Sequence, residues 1–175
     1  MDSFAQRKHL RIKNYDYSQA GYYFVTICTQ DRENLFGHVV GVDSISTRPE
    51  IMLNNAGMMV GKIYCNLQNE FKNIVLHEHI IMPDHFHGII QIQRTWADIE
   101  SAPTVNLPAI IQSFKRYTTI QYINGVKNRL YPPFNKRIWQ RGYYEHIIRN
   151  EHELQKIREY IINNPTNWQE DKYSV

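Results

Sequence analysis

The sequence predicts an α+β fold, an antiparallel sheet with helices packed on one face. Three observations predict it. Short runs rich in β-branched and aromatic residues alternate with segments whose apolar residues recur at helical spacing. Pro83-Asp84 joins two apolar runs directly, so those runs should pair as an antiparallel hairpin. The order strand, strand, helix, strand, strand, helix, helix then suits a ferredoxin-like layer architecture. A chain of 175 residues is long enough to bury its own core, and residues 1–175 are expected to form one domain.

Residues 1–20 are polar, and partial order is expected there. Tyr22–Thr29 (YYFVTICT) reads as a central strand, Asp31–Asn34 as a turn, and Leu35–Val42 as the returning strand, weakened by glycines. A loop over Asp43–Glu50 precedes a short strand at Ile51–Leu53. Asn54 or Asn55 can cap a helix reaching Asn69, with Val60, Ile63, Tyr64 and Leu67 on one face. Asn73–Met82 and Phe86–Gln93 are the two arms of the hairpin, and a loop covers Thr95–Pro108. A second helix, Leu107–Ile123, should bury Leu107, Ile110, Ile111, Phe114 and Tyr117. Gly125–Arg137 is irregular, and Ile138–Gln140 is a candidate short strand. Asn150 and Glu153 resemble a capping box opening a third helix, whose stripe is Leu154, Ile157 and Ile161 and which Pro165 stops.

Charge is unevenly spread. Residues 101–149 hold eight basic residues against one acid, Glu145, a local net charge of +7 in a chain of net +3. Tyrosines and Trp139 lie among these cations, a composition that suits a phosphate backbone with unstacked bases. Cys28 and Cys65 form neither a disulfide framework nor a zinc motif, and read as small buried residues of a reducing compartment. The polar, basic start carries no apolar signal segment, and no run approaches membrane-spanning length. A cytoplasmic protein without a membrane partner is expected.

The chemistry concentrates at Met82-Pro83-Asp84-His85-Phe86-His87-Gly88-Ile89-Ile90. On a strand, His85 and His87 share one face and Phe86 takes the other, so two imidazoles stand side by side for a divalent cation. The third helix carries Tyr160 and Asn164 at i and i+4, hence on one helical face. If that face meets the histidine strand, the set of two nitrogens, an amide oxygen and a phenol suits Mn²⁺ or Mg²⁺ with positions left for phosphate oxygens. The tyrosine would then be the nucleophile of a covalent step. Tyr143 and Tyr144 are its rivals, placed in irregular chain. His77-Glu78-His79 repeats the histidine spacing without the turn before it, and reads as structural or as a substrate contact. His146 is expected to hydrogen-bond near the site.

Three blocks in order resemble the single-tyrosine HUH transposases, above all the REP-associated tyrosine transposases. They are MPDHFHGII, then Trp139-Gln140 through Glu145-His146 to Arg149, then Tyr160-Ile161-Ile162-Asn163-Asn164-Pro165. The resemblance implies metal-dependent cleavage and strand transfer of single-stranded DNA, with recognition of hairpins formed by imperfect palindromes. Its nucleophile, Tyr160, would form a 5′-phosphotyrosine and free a 3′-hydroxyl. The metal ligands would be His85, His87 and Asn164, and the cation Mg²⁺ or Mn²⁺. Lys115, Arg116, Arg141 and Arg149 are candidate DNA contacts. Relatives include both monomers and homodimers that share their sites in trans, and both states stay open. So do three other functions: a replication-initiator or relaxase-type nicking enzyme, a non-enzymatic hairpin-DNA binder, and a hydrolase using water.

Overall fold

The computed structural model describes residues 15–41, 49–93, 105–166 and 168. The expectations for residues 1–14 and most of the two loops, 42–48 and 94–104, lie outside them. β1 (Gly21–Cys28) is followed by a short 3₁₀ turn (Gln30–Arg32), β2 (Gly37–Val40), β3 (Glu50–Leu53) and α1 (Asn55–Glu70). The hairpin β4 (Ile74–Met82) and β5 (His85–Ile92) comes next, then α2 (Leu107–Lys127), β6 (Tyr144–Ile148) and α3 (Glu151–Asn163). Each helix starts on an asparagine whose side chain accepts a backbone N–H three residues on: Asn54 from Gly57, Asn106 from Ala109, and Asn150 from Glu153.

The main sheet has the order β4-β5-β1-β6, and every pairing in it is antiparallel. With α1 and α2 as the crossovers, this is a βαββαβ arrangement, and the α+β class holds. Two placements differ from expectation. β2 does not return along β1; it pairs with β3 in a separate two-stranded ribbon, because β5 and β6 occupy both edges of β1. The helices also divide between the faces. α1 and α2 bury Val60, Tyr64, Ile110 and Phe114 against Tyr23, Val25, Ile27, Phe86 and Ile90. α3 buries Leu154 and Ile161 on the other side, against Phe24, Ile89 and Ile148. A sheet with apolar side chains on both faces must cover both.

Smaller corrections have local causes. Tyr117 is 38% exposed, because the buried positions of α2 run Ile111, Phe114, Thr118 and Tyr122, and Thr118 takes the place in the stripe. Ile138–Gln140 contributes only a bridge, Thr29 to Trp139. Cys65 is exposed and Cys28 half-buried, where its Sγ accepts from Arg32 Nη1 at 3.0 Å. Gly88 lets the Tyr64 ring close over β5: a Cβ there would lie 2.9 Å from Tyr64 Oη, which donates to the Ile89 carbonyl. Among the described residues, no helix is long and apolar enough to cross a membrane.

Candidate active site

β5 carries His85 and His87 to the α3 face, where they are only 1% and 3% exposed and their ring centroids lie 4.5 Å apart. Phe86 points the other way and packs on Tyr64 and Phe114. Both imidazoles are held through Nδ1. His85 Nδ1 donates to Asp84 Oδ1 at 2.7 Å. His87 Nδ1 is hydrogen-bonded to Thr26 Oγ1 at 2.8 Å, which the β1–β5 register sets directly opposite it. With Nδ1 engaged, Nε2 is the atom of each ring that a cation could use.

α3 brings Tyr160 to this pair. Its Oη lies 3.5 Å from His87 Nε2 and the rings are 5.3 Å apart. Phe24 backs both, stacked on His87 at 5.4 Å and edge-on to Tyr160 at 6.0 Å. Tyr160 is 37% exposed, so an extended substrate can reach its hydroxyl. Asn164 follows one turn later, fully buried at the helix end, with right-handed φ of −55° rather than the left-handed turn asparagine often supplies there. Trp168 then stacks on His85 at 5.9 Å. Tyr160 and Trp168 thus each meet one of the two imidazoles, and Asn164 stands between them in sequence.

Among the described residues, no three His, Cys, Asp or Glu side chains converge as a metal cluster. A cation at the histidines would therefore be completed by oxygens of the amide, the phenol, phosphate or water. Two imidazole nitrogens and hard oxygens fit Mn²⁺ or Mg²⁺, and do not resemble the closed thiolate sites of zinc.

The second His-x-His is dismantled by the backbone. A bulge between Leu76 and His79 shifts the register of β4. His77 consequently meets Tyr22 and Gln91 on the α3 face, while His79 packs on Tyr64 and Phe86 on the other. Two histidines on opposite faces cannot share one ion. Burial holds the His79 pKa below its ordinary value.

The Trp139–Arg149 block has separable duties. Trp139 packs between Phe36 and Phe114 and donates Nε1–H to Thr118 Oγ1 at 2.8 Å. Gln140 ties its N–H to the Cys28 carbonyl and its amide to that of Thr29, closing the end of β1 nearest His85. Tyr144, expected in irregular chain, begins β6 opposite Thr26, and Tyr143 lies just before the strand beside Lys115 Nζ. Tyr144 is 49% exposed and edge-on to Phe24 at 6.4 Å, so it shares the site face with Tyr160. His146 hydrogen-bonds Glu153 Oε1 at 2.7 Å, in the first turn of α3 and two turns before Tyr160. Glu153 also accepts the Arg149 N–H, and the two bonds hold its carboxyl below the usual carboxylate range. In place of a reciprocal capping box, Glu153 ties α3 to the end of β6.

The four basic candidates are not gathered at the histidines. Lys115 and Arg116 lie on α2, across the sheet from them. Lys115 Nζ donates to the carbonyls of Gln140 at 2.9 Å and Gly142 at 2.8 Å, and Arg116 lies over the Tyr117 ring at 4.8 Å. Arg141 and Arg149 are exposed at opposite ends of the β6 segment, Arg141 toward the His85 end of the sheet. Sequence reasoning missed Thr26, Asp84 and Arg32, whose Nε lies 3.0 Å from Asp84 Oδ2. Asp84 carried a signal, a carboxylate adjacent to a ligand-type histidine; Thr26 and Arg32 carried none, because only the fold brings them near.

Residues 18–164 match the family model described as transposase, IS200 like. An uncharacterised protein of Haemophilus influenzae is 35% identical over 97% of this chain and 93% of its own length. Two solved structures are similar in fold. One is a REP-associated tyrosine transposase bound to a REP hairpin, with TM-score 0.57 and 16% identity over 90% of this chain and 74% of that one. The other is a putative transposase from Deinococcus radiodurans, with TM-score 0.50 and 15% identity over 87% of this chain and 95% of that one. The chain therefore belongs to the IS200-like transposase family, and it is a DNA-binding transposase, an enzyme of DNA cleavage and transposition.

Proposed function

We propose that this transposase cleaves and rejoins single-stranded DNA through a covalent bond between Tyr160 and a 5′ phosphate. The observation that carries the reading is the approach of Tyr160 Oη to within 3.5 Å of His87 Nε2. It sets a partly exposed phenol against two buried imidazoles suited to a divalent ion. Tyr160 Oη attacks phosphorus and loses its proton; the bond from phosphorus to the 3′ oxygen breaks, and that oxygen takes a proton to leave as a 3′-hydroxyl. Strand transfer is the reverse, with an incoming 3′-hydroxyl displacing Tyr160.

His85, His87 and Asn164 would hold Mg²⁺ or Mn²⁺, which when bound polarises the scissile phosphate and offsets charge in the transition state. Thr26 and Phe24 keep the His87 ring in place, and Phe24 also supports Tyr160 from behind. The proposed substrate is hairpin DNA with a single-stranded extension in the cytoplasm. The fold likeness to a transposase bound to a REP hairpin supports it. Exposed Arg141 and Arg149 are the proposed phosphate contacts.

A hairpin oligonucleotide carrying a single-stranded arm, incubated with Mn²⁺ or with chelator, tests the reading. Cleavage should require Mn²⁺ and be lost in both His85→Ala and His87→Ala, with hairpin binding retained. Cleavage that persists in chelator would remove the ion from the mechanism.

A further inference from the structure

We propose that Arg32 and Asp84 are positioning residues that fix the His85 ring with Nε2 toward the cation site. The inference rests on the reading of His85 as a ligand. Asp84 is 2% exposed, and both its carboxylate oxygens are committed. Oδ1 accepts from His85 Nδ1 at 2.7 Å, and Oδ2 lies 3.0 Å from Arg32 Nε. Its carbonyl is held as well, accepting the N–H and the hydroxyl of the wholly buried Thr29, each at 2.9 Å. The turn between β4 and β5 is thereby pinned to the end of β1.

The arginine is delivered by an unusual backbone. Asp31 and Arg32 are consecutive non-glycine residues with φ of 55° and 56°, in the left-handed region that such residues rarely adopt. Strain of this kind persists where the surroundings over-determine it, and it clusters at functional sites. Here it bends the chain so that Arg32 spans Asp84 Oδ2 and Cys28 Sγ. With Asp84 buried and Arg32 partly exposed, the pair is a poor source of stability, since desolvation offsets its attraction, but it restricts geometry. Three other histidines lack the arrangement: His77 meets the Gln91 amide, His79 packs on Tyr64 and Phe86, and His146 meets a carboxylate, but through Nε2 and at the partly exposed Glu153. A carboxylate on Nδ1 of a metal-binding histidine selects the Nδ1–H tautomer and leaves Nε2 for the ion. The guanidinium on the second oxygen stops the carboxylate from rotating.

Two readouts test this, neither of them catalytic. Nitrogen-15 spectra of the metal-free protein report the His85 tautomer, and calorimetry with Mn²⁺ reports affinity. The wild type should show Nδ1–H at His85. Asp84→Ala should mix the tautomers and weaken Mn²⁺ binding about 10–100-fold, the usual effect of losing such a partner. Asp84→Asn keeps an acceptor for Nδ1–H, and should restore most of the tautomer preference and part of the affinity. Arg32→Ala should fall between wild type and Asp84→Ala. Melting curves identify any variant that fails to fold, and Asp84→Asn and Arg32→Ala then carry the test. Wild-type tautomer and Mn²⁺ affinity in Asp84→Ala, or in both of the milder variants, would overturn the proposal. A wild type that binds no Mn²⁺ would instead overturn the metal reading, and this inference with it.

Discussion

To the α1/α2 face β1 sends Tyr23, Val25 and Ile27, all fully buried in one continuous cluster with Phe86, Ile90 and Phe114. To the α3 face the same strand sends Tyr22, Phe24, Thr26 and Cys28; Phe24 joins a smaller apolar cluster there, with Tyr22 packed against it. Next door, β5 repeats the division: Phe86 and Ile90 go one way, His85 and His87 the other. Folding free energy from apolar burial is concentrated on the first face. The second face can then bury polar groups, provided each is hydrogen-bonded, as His85 is to Asp84 and His87 to Thr26. The larger apolar core and the proposed chemistry are separated by the thickness of one sheet.

That separation can be broken deliberately. The largest stability effect should come from Phe114→Ala. This ring touches Tyr64, Phe86 and Trp139 and is 1% exposed, so its loss should cost about 3–5 kcal/mol, read as a lower urea midpoint. Leu154→Ala on α3 should cost less, about 2 kcal/mol at the low end of such substitutions, because it packs in the smaller cluster. It should nonetheless lower DNA cleavage in the folded enzyme, since α3 carries Tyr160. Equal costs for the two variants, with cleavage unaffected, would erase the distinction between the faces.

A smaller effect should appear with pH. His79 is packed under Tyr64 on the α1/α2 face, and burial depresses its pKa below 6.5. Below about 6.5 the unfolded chain binds a proton that the folded chain resists. Stability should therefore be lost as pH falls from about 6.5 toward the folded pKa, and be unaffected by His79 above that. In His79→Phe this part of the slope should vanish in melts taken from pH 7.5 to 5. An unchanged slope would place the titration elsewhere.

What could be read from the sequence was local. β1, the β4–β5 hairpin and all three helices announce themselves through periodicity, the Pro83-Asp84 turn and, for α1 and α3, asparagine caps, and the ordered motif blocks pointed to His85, His87 and Tyr160. What could not be read was pairing. β6 is five residues, Tyr144–Ile148, in a basic stretch with a glycine nearby, and it is a strand because the edge of β1 is open to it. β2 looked like a partner for β1, but the two edges of β1 were already filled from farther along the chain. The stripe of α3 gives its apolar side, not which face of the sheet it covers. The bulge that separates His77 from His79 has no signature in the residues themselves.

The central claim, that the α3 face holds a tyrosine nucleophile while the opposite face holds the fold, is tested most directly by trapping the covalent intermediate. Hairpin oligonucleotides labelled at the 5′ or 3′ end are incubated with Mn²⁺ and wild type, Tyr160→Phe, Tyr143→Phe or Tyr144→Phe, then run on a denaturing gel. The 3′-labelled fragment, which retains the 5′ phosphate at the cut, should migrate with the protein in all but Tyr160→Phe. The Tyr160→Phe variant should keep wild-type melting and hairpin binding, since it loses one partly exposed oxygen. An adduct that survives in Tyr160→Phe and disappears in Tyr144→Phe, or cleavage with no adduct in the wild type, would contradict the account.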